Sequence, residues 1–268
     1  MFKSDFWKLL QSFNSFLKQL LIAHWRSLLI LLLGVYLPFQ VFEGLALEIW
    51  KNEAGFPWDV PILLSIHATA SPQLDILAVS LTKFGSPNAL LPITIAIGLV
   101  LLLRQRWRSL VYLLITVLGS AIINRTAKIL LHRVRPHLWD SLSPELDYAF
   151  PSGHAMASMA LVAALVILTW GSSWWWLVLI VGSSFVLAIG WTRLYLGVHF
   201  PSDILGGWMA SVTWAIGLSL LIRPHLTTST QLPEALRVRT LTPSALKDEQ
   251  PLNETSLRPQ EADSVNES

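Results

Sequence analysis

Three short clusters carry residue types that can do chemistry together. In the first, Arg125, Lys128, His132 and Arg135 recur at intervals that place them in one stripe of a helix, with Arg133 pointing away and Pro136 ending the helix. Such a row holds an anion, or else is a set of snorkelling cations at a helix end. In the second, Pro151-Ser152-Gly153-His154, Ser152 is suited to N-cap a helix and Gly153 to let a ligand approach the backbone. The free N–H groups of a helix start suit a phosphate or sulfate, and His154 in the first turn can exchange a proton near neutral pH. An ordinary cap beside a histidine would read the same. In the third, Thr192 and Arg193 precede Gly197, His199, Pro201 and Asp203. Asp203 lies four residues after His199, where a carboxylate can fix the imidazole tautomer and leave the other ring nitrogen as nucleophile or base; a structural His–Asp cap is the alternative. Taken together, these residues describe a site for a phosphoryl group, and the chemistry that fits is hydrolysis through a phosphohistidine.

The elements that must gather them are membrane spans. Of 268 residues, 53% are hydrophobic and only 13% charged, which argues against a compact water-soluble enzyme. With no cysteine there is no thiol nucleophile, disulfide or thiolate metal site, and a net charge of +2 gives no reason to expect a nucleic-acid partner. Stretches of apolar residues long enough to cross a bilayer predict spans near 27–47, 88–103, 110–131, 155–170, 174–195 and 204–222, with a kink at Pro38. The fold class expected is therefore an all-α polytopic membrane protein, a six-transmembrane-helix bundle with a disordered C-terminal tail. Residues 27–222 form its core domain. Residues 1–26, with Phe2, Phe6, Leu10, Phe13, Leu17 and Leu20 at helical spacing, are an interfacial amphipathic helix or an extension of the first span. A second interfacial helix is expected over 61–85. The tail, 223–268, lacks aromatic residues, and its acids outnumber its bases.

Orientation follows from Lys3, Lys8, Lys18 and Arg26, from Arg104, Arg106 and Arg108, and from Arg223, Arg237 and Arg239. Six spans put these groups on one side, so both termini are expected to be cytoplasmic. All three clusters then meet at the extracytoplasmic face. Cations there run against the usual bias, so another cause is needed for them.

Lys128 followed after six residues by Arg135-Pro136, then Pro151-Ser152-Gly153-His154, then Thr192-Arg193 with His199 and Asp203, resembles the three-part signature of the type-2 phosphatidic-acid phosphatase superfamily. The resemblance implies His199 as nucleophile, Asp203 as its orienting partner and His154 as general acid. It implies Lys128, Arg135, Arg193, Ser152 and Gly153 as ligands of the phosphate, with no metal and no cofactor. Thr192 stands where the family usually has serine. Arg125 and Arg133 are not signature positions, so Arg133→Ala is expected to leave most activity. The implied partners are the lipid bilayer and a phosphorylated membrane lipid: undecaprenyl diphosphate, phosphatidic acid, phosphatidylglycerol phosphate or diacylglycerol pyrophosphate. Nucleic acid is not among them, and oligomeric state is left open. A lipid phosphotransferase of the same superfamily and a non-catalytic anion-binding membrane protein are the alternatives.

Overall fold

The computed structural model describes residues 2–52 and 55–225, so the tail expected over 223–268 lies almost wholly outside the described residues. Every regular element among them is helical: α1 (Phe2–Ile30), a π-helical segment (Leu31–Tyr36), α2 (Leu37–Lys51), α3 (Asp59–His67), α4 (Pro72–Phe84), α5 (Pro87–Leu103), α6 (Trp107–Leu131), α7 (Gly153–Thr169), α8 (Trp175–Tyr195) and α9 (Pro201–Ile222).

By length and apolar character, Leu21–Lys51, α6, α8 and α9 can each cross a membrane, and α4 with α5 makes a fifth span bent by 44°. The six-span count is not reached on that measure. α7 has only 17 residues, and α5 reaches a span's length only together with α4. The chain is a multi-pass membrane protein of four or five such candidates.

α1 passes residue 26 without a break, and a π-helical turn follows immediately before Pro38. Proline cannot donate to the carbonyl four residues back and its ring crowds that carbonyl. The widened turn, in which Leu37 N–H reaches Leu32 O, relieves the conflict. The helix expected over 61–85 is two helices. The first ends at His67 with Ala68 as its C-cap; Ser71 caps the second, accepting from Leu74 N–H at 3.4 Å, and Pro72 occupies the first turn of α4.

α6, α7 and α9 pack together around Tyr112, Leu113, Leu161, Ala164 and Leu218, and Tyr112 Oη donates to Ala215 O at 3.0 Å. Close approach of α7 and its entry to α9 depends on small residues. A Cβ at Gly206 would lie 2.4 Å from the ring of Phe150, which is fully buried and has no room to retreat. Gly206→Ala should therefore cost about 1–3 kcal/mol of stability by overpacking. Thermal unfolding in detergent checks this. An unchanged Tm would show that the ring moves freely. The packing places the C-terminal ends of α6 and α8 and the N-terminal ends of α7 and α9 at one end of the bundle.

Candidate active site

α6 ends four residues earlier than the periodicity predicts. His132 adopts φ +47° and closes the helix, its N–H reaching Lys128 O at 3.2 Å. Arg135 thus lies beyond the helix, and the predicted stripe from Arg125 to Arg135 does not form. Arg125 is exposed. One more turn of helix is worth little, whereas the reversal lets Arg133 reach two buried carboxylates, Asp59 and Asp203. Arg133, which the sequence places outside the signature, is buried here, and one guanidinium nitrogen donates to Asp203 itself.

The third cluster assembles around Asp203, in the first turn of α9. Its Oδ2 lies 3.4 Å from His199 Nδ1 and accepts Phe200 N–H at 2.8 Å. That leaves His199 Nε2 directed at Arg135 Nη1, 3.0 Å away, and at Glu145 Oε2, 3.7 Å away. His154, in the first turn of α7, approaches the other oxygen of the same carboxylate, Nδ1 to Oε1 3.6 Å. The two histidines therefore face one small space from opposite sides.

That space is ringed by cations. Arg193, buried at the end of α8, donates from Nη1 to Thr82 Oγ1 at 2.8 Å and from Nη2 to Glu145. Arg135 pairs with Glu145 at 2.6 Å and with Asp147, and donates to Val198 O at 2.7 Å. Lys128 donates to Asp147 and, at 2.7 Å, to Tyr148 O. Burial alone would raise the Glu145 carboxyl, but its hydrogen bond to His199 and the charges of Arg193 and Arg135 outweigh that and hold it well below the usual carboxylate range. Asp147 is held low in the same way, against burial, by Lys128 and Arg135. Burial pushes the His199 imidazole below its ordinary value, opposed in part by Asp203 and Glu145.

Ser152 is where the sequence puts it but not free. Its hydroxyl accepts Ala155 N–H at 3.5 Å and its own N–H donates to Asp203 O at 3.1 Å, so it ties α7 to α9. Its backbone donor is committed to the fold, while its hydroxyl keeps its own proton to donate. Gly153 remains partly open beside Asn124. Thr192 turns its hydroxyl back to Ile189 O, so its difference from serine is spent inside the helix.

Glu145, Asp147, Asp59 and Thr82 have no place in the sequence reading. The one available signal was the rarity of charge: two acids stand within ten residues of His154 in a chain only 13% charged.

Two histidines, two arginines and a lysine thus meet at one end of a bundle that contains membrane-length apolar helices. A family model described as the PAP2 superfamily matches residues 109–226. Phosphatidylglycerophosphatase B of Bacillus subtilis is 32% identical over 143 residues, 51% of this chain and 69% of that protein. The chain belongs to the PAP2 superfamily and is a phosphoric-ester hydrolase. It is also 25% identical over 200 residues to an undecaprenyl-diphosphatase of Sulfolobus acidocaldarius, covering 73% of this chain and 88% of that one. Among solved structures, the transmembrane PAP2-type phosphatidylglycerolphosphate phosphatase of Bacillus subtilis superposes with a TM-score of 0.63 at 26% identity, over 71% of this chain and 96% of that one. Aquifex aeolicus LpxE, at 21% identity and a TM-score of 0.52 over 61% of this chain and 95% of its own, shares the fold.

Proposed function

We propose that the protein removes a phosphoryl group from a lipid phosphomonoester or diphosphate headgroup through a phosphohistidine on His199. The observation that carries this is the position of the Glu145 carboxylate. It is an anion between both histidines, Arg135 and Arg193, where a phosphoryl group would have to sit.

In the first step His199 Nε2 attacks the terminal phosphorus and its bond to the leaving oxygen breaks, that of the lipid alcohol in a monoester or of the lipid monophosphate in a diphosphate. His154 delivers the proton that oxygen needs. Asp203 holds the Nδ1 proton and stabilises the charge gained by the ring. Arg135, Arg193 and Lys128 bind the non-bridging oxygens, where charge accumulates. In the second step water attacks the phosphohistidine while His154 takes its proton back, releasing phosphate. Ser152 acts by anchoring the start of α7, and Gly153 leaves backbone open there.

The lipid class is supported by an apolar groove of about 330 Å³ between α2, α6 and α9, lined by Phe39, Phe42, Ile123, Ala210 and Trp214. Ile123 lies five residues before Lys128 on α6, roughly 7.5 Å by helix rise, so the groove runs along the helix whose end carries that cation. The relatives named for phosphatidylglycerophosphate and undecaprenyl diphosphate make these the first substrates to test. The charge asymmetry of the loops supports an extracytoplasmic site with both termini in the cytoplasm. A cysteine placed at residue 143 should react with an impermeant reagent in intact cells, and labelling only after lysis would reverse the orientation.

Phosphate release is the direct test, measured in detergent with excess EDTA on these two lipids and on phosphatidic acid. Release that survives chelation supports the reading. Headgroup exchange between lipids without net release of phosphate would make the protein a transferase.

Substrate must also displace Glu145, because a carboxylate about 4 Å from a phosphate charge is opposed by roughly 4 kcal/mol at an effective dielectric of 20. Glu145→Gln should therefore tighten inhibition by vanadate or inorganic phosphate at least about tenfold, a conservative share of that repulsion. Weaker inhibition in the variant would mean that Glu145 helps to hold the anion.

A further inference from the structure

We infer that Arg133 and Asp59 are positioning residues of the His199–Asp203 dyad: a buried Asp59–Arg133–Asp203 chain aims the carboxylate that orients the nucleophile. This rests on the proposed role of the dyad and adds two residues outside the signature. Asp59 also lies outside the stretch that matches the family model.

The guanidinium is a bridge. Nη1 donates to Asp203 Oδ1 and, at 2.7 Å, to Ser202 Oγ; Nη2 donates to Asp59 Oδ2 at 2.7 Å. Asp59 then grips the start of α9 from the far side, accepting Ser202 N–H at 3.0 Å and the Ser202 hydroxyl at 2.6 Å. None of the three charged side chains reaches solvent. The cage closes with the Phe200 ring 4.4 Å from the guanidinium carbon and with Gly55, where a Cβ would fall 2.1 Å from Nη2. Gly55 also has φ +74°, so the α2–α3 connection passes against the guanidinium at a residue suited to glycine on both counts.

A buried ion triad is a weak way to stabilise a fold, because desolvation offsets much of the attraction. What it does supply is direction. With Oδ1 of Asp203 held by Arg133, Oδ2 cannot rotate away from His199 Nδ1. Arginine suits this place because its planar fork serves two carboxylates at once, whereas a lysine is one point charge. The other charged groups around the dyad are Arg135 and Glu145 from the α6–α7 connection, Arg193 from α8 and His154 from α7. Removing Arg133 leaves these in place and adds two uncompensated carboxylates behind His199. The imidazole then holds its proton to higher pH, and a protonated imidazole is no nucleophile.

The test uses the full-length protein in detergent, with phosphatidic acid as the probe and wild type and His199→Ala as references. Arg133→Met should lower kcat by about 100-fold, the cost of an ångström-scale misplacement, and leave KM nearly unchanged because Arg135, Arg193 and Lys128 remain. The acid limb of kcat/KM should move to higher pH. Arg133→Lys should recover part of kcat, and Asp59→Asn should fall between the two. In the double variant of Asp59→Asn with Arg133→Met, charge balance returns, so the pH limb should move back while kcat stays low. Tm is recorded for each; if Arg133→Met does not fold, Arg133→Lys and Asp59→Asn carry the same readouts. Variants that lose Tm but keep kcat, KM and the pH limb would overturn the inference, as would a rise in KM at constant kcat. Full activity in His199→Ala would instead show that the dyad reading has failed, whatever Arg133 does.

Discussion

His199→Ala lowers turnover on any lipid substrate by about 10⁴–10⁶-fold, the range seen when a covalent nucleophile is removed from a site whose other parts remain. The expectation rests on geometry. Nδ1 is taken by Asp203, and Nε2 is the ring atom that faces Arg135 and the anion between the arginines. Among the described residues, no other side chain has a nucleophilic atom placed there with a buried carboxylate behind it. The check has two readouts. Phosphate release should vanish, and a radiolabelled substrate should leave acid-labile, alkali-stable label on the wild type, as a phosphoimidazole does, but none on the variant. Label on the variant would put the covalent intermediate on a different residue and leave His199 a binding group.

His154→Ala has the second largest effect, about 10²–10⁴-fold for a phosphomonoester, the usual worth of a placed general acid. The leaving alkoxide of a lipid monoester is strongly basic and needs its proton as the bond breaks. The same variant should keep far more activity on an aryl phosphate, whose leaving oxygen is stable without a proton, and an intermediate share on a diphosphate. Measuring the three substrates side by side separates this role from phosphate binding, since loss of a binding group would reduce all of them alike. His154 and His199 lie 3.6 and 3.7 Å from opposite oxygens of one carboxylate, the arrangement needed for an acid and a nucleophile acting across a single phosphorus.

The residue types and spacings in the sequence were enough to find the three clusters, the His199–Asp203 pair and the membrane character of the chain. Each is a local property: a helix start after Ser152, an i to i+4 pair at the start of α9, runs of apolar residues. The end of α6 was not legible, because helical periodicity continues through Arg135 and carries no mark of what lies far away. The helix ends at Leu131, and just beyond it Arg133 pairs with Asp59 and Asp203, across separations of 74 and 70 residues. Glu145 and Asp147 stayed hidden for a related reason: they sit on an irregular connection, where no period relates one residue to the next. The sequence by itself therefore determined where the three clusters stand along the chain and that the chain is built of membrane-length apolar helices. Only the tertiary structure decided which cation holds which carboxylate, since buried charges choose partners by the packing that excludes water from them.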